Sequence, residues 1–282
     1  MRFFTPPLRL SPLRGATFQP DQPINMAGAL RHITSCGGCM SSQSHFSRRS
    51  FLKTSGLALS ALAVGARVGV PRKSAAFSDS MSPRAEKIEA SEALEMLIEG
   101  NQRYVEFHLE HPHQTEARLL EVSKGQSPFA IIVGCADSRV PPEVVFDQGL
   151  GDLFVVRIAG NIIDDAILGS VEYAAEHLRA PLVMVLGHEN CGAVKATVEI
   201  LETGAAAPGH IGSLVKAITP AVQAAKSAKG DVVNNAVTAN VLWGMMQLKS
   251  ASPILTELIH KHELMVVGGR YDLDTGEVAV MR

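Results

Sequence analysis

The stretch VLGHENCGAV, residues 185–194, decides how the chain is read. An apolar run ends in a histidine and, three residues on, a cysteine, which is metal-ligand spacing. A structural zinc site wants four protein ligands, commonly supplied as two close pairs. The body of the chain shows only this one pair, so the remaining ligand has to come from elsewhere in the fold.

Working outward, three apolar runs stand at residues 129–133, 153–158 and 182–186. Each is of strand length and too apolar for a strand with one wet face. Between the second and third lies DDAILGSVEYAAEHL, residues 164–178, with Asp164 or Asp165 as cap and Ile167, Val171, Ala174 and Leu178 on one side. That is the βαβ rhythm of a parallel sheet covered on both faces. Leu94, Leu97, Ile98 and Tyr104 predict a helix with Ser91 as N-cap, and TEARLLEVSKG, residues 115–125, predicts a second closed by Gly125. Helical segments follow at 211–227, interrupted by Pro220, and at 232–249. The Ser-Pro start of residues 252–264 predicts another, leading to a strand at 265–267 and a terminal hairpin around Asp274, Thr275 and Gly276.

In an open parallel sheet, ligands bind beyond the carboxyl ends of the strands, where neighbouring loops converge. Cys135 lies just past the first apolar strand, as His188 and Cys191 lie just past the third. Cys135 therefore completes a Cys2His set. Three protein ligands leave zinc a fourth position, the catalytic arrangement rather than the structural one. Asp137 and Arg139 follow Cys135 at two and four residues. Beside a metal, an aspartate held by an arginine can accept a hydrogen bond from the reacting water or ligate the metal itself.

Composition excludes other classes. The chain of 282 residues is 46% hydrophobic, with formal net charge -2, and its mean hydropathy is +0.13. It can bury a substantial core, and it lacks the basic field that gathers phosphate backbones, so nucleic acid is not an expected partner. Four cysteines are too few for a disulfide framework at this length. SRRSFLK, residues 47–53, precedes the apolar stretch 57–66 and resembles a twin-arginine export signal. The apolar stretch is too short for a stable membrane span. The expected organisation is an upstream segment 1–39 preceding a natural start at Met40, a signal peptide 40–76, a linker 77–84 and one domain over 85–282, exported from the cytoplasm. Cys36 and Cys39 fall in the upstream segment and are read as carrying no metal.

The motifs Cys-x-Asp-x-Arg at Cys135, Asp137 and Arg139 and His-x-x-Cys at His188 and Cys191 resemble those of the β-class carbonic anhydrases. The resemblance extends through GCADSRVPPEVVFDQGLGDLFVVRIAGN, GSVEYA and GHENCGAVKA, and more loosely to YDLDTGEV. It implies an α/β fold with a four-stranded, mainly parallel sheet, flanking helices, C-terminal helices and a terminal hairpin. It implies reversible hydration of carbon dioxide to bicarbonate and a proton on one zinc per chain, in a homodimer or higher multiple. By the same resemblance Cys135, His188 and Cys191 ligate zinc, while Asp137 and Arg139 orient the reacting water. Asp137 becomes the fourth ligand in a closed state, and Gln148 orients the substrate. Arg157 matches an arginine of a non-catalytic bicarbonate site in one subgroup, whose tryptophan is replaced here by Ile132. Two alternatives are a hydrolase of carbon disulfide or carbonyl sulfide on the same scaffold and a zinc-stabilised binding module without catalysis.

Overall fold

The computed structural model describes residues 88–282. The upstream segment, the export signal and the linker lie outside the described residues.

Four parallel strands form the centre: β1 (Ala130–Gly134), β2 (Leu153–Arg157), β3 (Leu182–His188) and β4 (Met265–Tyr271). The last strand, β5 (Val278–Met281), returns antiparallel to β4, so the sheet has five strands in the order β2-β1-β3-β4-β5. The fifth is the second arm of the expected hairpin. Its turn is built by Asp272, whose Oδ1 accepts the amides of Asp274 (2.9 Å) and Thr275 (2.8 Å), with Gly276 at φ +81°. A side chain at 276 would also meet the Tyr104 ring, 2.8 Å from a Cβ.

The alternation of strand side chains sorts the core into two faces. Ile131, Val133, Val183 and Val185 point to one cluster, which receives α4 (Asp165–Glu176), α7 (Val232–Ser250) and α8 (Pro253–His260). Ala130, Ile132, Leu182, Met184 and Leu186 point to the other, covered by α1 (Ala90–Val105) and α3 (Pro142–Val145). Burial on both faces is why these runs read as continuously apolar. Leu97 of α1 is fully buried, and a side chain so placed contributes about 2 kcal/mol of transfer free energy. Gly100 lets α1 approach this closely: a Cβ there would lie 1.8 Å from Phe146 O.

Local signals acted as their chemistry requires at α4, where Asp164 accepts the Ile167 amide at 2.9 Å, and at α8, where Ser252 accepts that of Leu255 at 3.1 Å. At α1 the helix begins before Ser91, and its N-cap Glu89 makes no side-chain cap bond. The short α2 (Glu116–Val122) is capped by Thr115. Pro220 does not interrupt α6, which runs through Ile211–Ala225. Burial of Ile218, Ala221 and Val222 against the neighbouring helices holds the helix across the missing amide. The helix α5 (Gly192–Thr203) had no separate expectation; Val194, Thr197 and Val198 form its buried stripe.

Candidate metal centre

Strand order places the centre. β1 continues to β2 on one side of the sheet, and β3 continues to β4 on the other, so the chain leaves β1 and β3 in opposite directions. A crevice opens at such a switch point, beyond the carboxyl ends of the two strands. Cys135 follows the last residue of β1, His188 is the last residue of β3, and Cys191 is the N-cap of α5.

The three ligand atoms lie within 4.8 Å of one another, and all three residues are buried. The two sulfurs stand 4.0 Å apart as free thiols, about twice a disulfide bond length. The cysteines divide acidity unequally. The Cys191 thiol beside it, with help from His188 and the Gly160 amide, draws the Cys135 pKa down against burial. Cys135 and burial push the Cys191 thiol up.

His188 shows what the set lacks. Its Nδ1–H donates to Glu189 O at 2.8 Å, which leaves Nε2 as the lone-pair nitrogen. That Nε2 is buried and has no hydrogen-bond partner. An unmatched buried acceptor costs free energy. A cation taking the Nε2 lone pair and two thiolates would satisfy all three at once. The donor set of two sulfurs and one nitrogen suits zinc.

The loop after Cys135 is tied down from below. Gly160, at φ +74°, donates its amide to Cys135 Sγ at 3.3 Å. A Cβ there would lie 2.6 Å from Ile218, so a side chain is excluded sterically as well. Asn240 of α7 holds Gly160 by its carbonyl at 2.8 Å. Arg157, from the end of β2, donates Nε to Cys135 O at 2.9 Å and Nη2 to Asp137 O at 2.5 Å. Its guanidinium is thus committed to the ligand loop.

Asp137 and Arg139 meet side by side. Arg139 donates Nε to Oδ1 at 2.9 Å and Nη2 to Oδ2 at 2.8 Å, and its amide reaches Oδ1 at 3.0 Å. The Arg139 contact holds the Asp137 carboxyl well below the usual carboxylate range. Asp137 Oδ2 lies 3.7 Å from His188 Nε2, so the dyad borders the centre while the carboxylate is held by arginine. Gln148 makes its described contacts elsewhere. Its Nε2 donates to Phe146 O at 2.9 Å, and the amide packs beside Gly100 of α1.

With this geometry in place, the comparisons with known proteins converge. The carbonic anhydrase family model matches residues 130–278, from β1 into β5, and so includes Cys135, His188, Cys191 and the Asp137–Arg139 pair. The chain belongs to the carbonic anhydrase family. Carbonic anhydrase 2 of Mycobacterium tuberculosis is 41% identical over 190 residues, which cover 67% of this chain and 91% of that protein. The carbonic anhydrase of Mycolicibacterium smegmatis is 40% identical over 186 residues, 66% of this chain and 90% of its own. Among solved structures, the β-carbonic anhydrase CcaA matches with TM-score 0.55 and 29% identity, over 66% of this chain and 86% of its own. The Coccomyxa β-carbonic anhydrase in complex with acetazolamide matches at TM-score 0.50 and 28% identity, over 66% and 85%. The five-stranded, mainly parallel sheet is the fold of these β-class carbonic anhydrases.

Local sequence had pointed to the five residues that the structure brings together here, Cys135, His188 and Cys191 in one cluster with the Asp137–Arg139 pair beside it. The parts it missed are the supports, Gly160, Asn240 and the contacts of Arg157. The Gly-Asn pair at 160–161 after a strand was the available signal, since both residues adopt positive φ.

Proposed function

We propose that the chain catalyses reversible hydration of carbon dioxide to bicarbonate and a proton, with one zinc held by Cys135, His188 and Cys191. The observation that carries this reading is the unpartnered His188 Nε2 between two thiols, beside a carboxylate held ionised by Arg139. Zinc bound there supplies a Lewis acid that lowers the pKa of a water and makes it a nucleophile. The two thiolates balance the charge of a divalent cation, and three protein ligands leave one position for chemistry. Asp137, ionised at working pH, accepts a hydrogen bond from the attacking water and orients a lone pair toward carbon dioxide. Arg139 keeps Asp137 in that role by taking both carboxylate oxygens. Its side chain is 54% exposed, so the dyad also opens toward solvent, where the proton must go.

The test is stopped-flow hydration of carbon dioxide by the purified, metal-quantified chain. Turnover should scale with bound zinc. Asp137→Asn should keep the zinc and lose about 10²-fold or more in kcat, because its NH2 group cannot accept the hydrogen bond. A zinc-loaded chain with no hydration activity would overturn the reading.

Two further properties belong to the same proposal. The chain assembles as a homodimer or higher multiple, a reading supported by α2, which buries none of its own residues and exposes Leu119 and Leu120. Light scattering on the purified chain measures this. The motif at Arg48 and Arg49 sends the folded, metal-loaded chain out of the cytoplasm. Changing both to lysine should leave active enzyme inside the cell, and unimpaired export would count against the signal.

A further inference from the structure

We infer that Glu189 and Arg270 are positioning residues for the metal centre: their ion pair holds the peptide whose carbonyl selects the ligating tautomer of His188. This inference rests on the metal-binding reading above.

Residue 189 is held at three points. Its amide donates to Tyr271 O at 3.0 Å, which extends the β3–β4 ladder one step past His188. Its carboxylate pairs with Arg270 Nη2, from the residue just before Tyr271 on β4. Its carbonyl accepts His188 Nδ1–H at 2.8 Å. Arg270 and Tyr271 stand in register with Gly187 and His188, so the end of β4 acts as a template for the ligand loop.

The third contact sets the chemistry. A carbonyl oxygen can only accept, so placing it at Nδ1 puts the proton there and leaves the lone pair on Nε2. Were the Glu189 carbonyl to turn away, the imidazole would be free to carry its proton on Nε2, where it cannot bind a metal. The loop also has a reason to relax, because Asn190 sits at φ +51°, in the left-handed region. Glu189 and Arg270 side chains are 15% and 34% exposed, so the pair is partly withdrawn from water. An ordinary surface ion pair adds little to stability and nothing to a ligand's tautomer. A pair that orients a ligating histidine acts on metal affinity.

The experiment is a double-mutant cycle on the full chain, with Co2+ and Zn2+ affinity measured by competition with a chelator. Thermal unfolding of the metal-free protein is recorded alongside. Glu189→Ala and Arg270→Ala should each weaken metal binding by about 10-fold or more. The double variant should lose little beyond either single, because the two residues act as one unit. Co2+–thiolate absorption at saturation should broaden in the variants as the histidine loses its fixed orientation. Parental affinity in both singles, or losses that simply add, would overturn the inference even if melting temperatures fall. If alanine variants do not fold, Glu189→Gln and Arg270→Gln, each removing one charge of the pair at closer volume, supply the same readout. Failure of the parent chain itself to bind either metal would instead refute the metal centre.

Discussion

Two regions of the molecule bury the same kinds of side chain to opposite effect. Beyond the carboxyl ends of β1 and β3, a histidine, two cysteines and an Asp–Arg pair converge, and His188 Nε2 is left without a partner. In the connection that enters β2, the side chains of Asp147 and Asp152 are each only 1% exposed, yet all their oxygens are occupied. Asp147 takes Arg103 Nε at 2.6 Å and the amides of Glu110 and His111 at 3.0 Å. Asp152 takes His113 Nδ1 at 2.7 Å, Arg118 Nη2 at 3.3 Å and the Gly149 amide at 2.9 Å. The second region is scaffold, since it pins residues 110–118 to the body of the fold with every carboxylate oxygen already hydrogen-bonded. Residue type does not separate these two regions. Between them, the difference is that His188 Nε2 lacks a partner while the oxygens of Asp147 and Asp152 have theirs.

The largest effect should come from removing a ligand. Cys135→Ser or Cys191→Ser should lower zinc affinity by more than the roughly 10–100-fold typical of an outer partner, with hydration activity falling to background. Elemental analysis of the purified variants checks this, and full zinc content in either would break the contrast between the regions.

At the scaffold, Asp147→Asn should act on stability and leave the metal alone. Arg103, a quarter exposed, would lose its buried counter-charge, at a cost of about 2 kcal/mol at neutral pH. Burial opposes ionisation of Asp147, but Arg103 and the two amides hold its pKa below the ordinary range. A depressed carboxyl pKa stabilises the fold above the unfolded value of about 3.9, and that contribution is lost as pH falls through the folded value. The gap between parent and variant should therefore be open at pH 7 and close in acid. Urea midpoints against pH, with zinc per folded chain measured alongside, decide it: loss of zinc at constant folding would assign this region to the site.

The smallest effect sharpens the same boundary. Thr115 Oγ1 accepts the Arg118 amide at 3.2 Å and starts α2 beside the Asp152 cluster. Thr115→Ala should cost about 1 kcal/mol or less, visible as a small shift in the urea midpoint, with metal affinity and turnover unchanged.

Much of the site was legible because it is local. Cys135 and His188 stand at the ends of strands whose apolar runs announce them, and Asp137 and Arg139 share one short loop with Cys135. The supports were not legible for a complementary reason. Arg157 reaches back 22 residues to Cys135, Asn240 reaches 80 residues to Gly160, and Arg270 reaches 81 residues to Glu189. None of these pairs leaves a periodic trace. Pro220 misled in the opposite direction, because its local preference was overridden by burial of the flanking residues.

By itself the sequence determined the parallel-sheet class and brought forward Cys135, His188, Cys191, Asp137 and Arg139 as candidates, since strand periodicity, caps and loop chemistry follow from backbone sterics and desolvation over a few residues. Only the tertiary structure decided that β1 and β3 are neighbours, and with that where the crevice opens. It also decided that β4 lies beside β3 in the register that brings Arg270 and Tyr271 to the ligand loop. Strand order is a property of how whole layers pack, and the partner of a polar atom is whichever group that packing brings within hydrogen-bond reach.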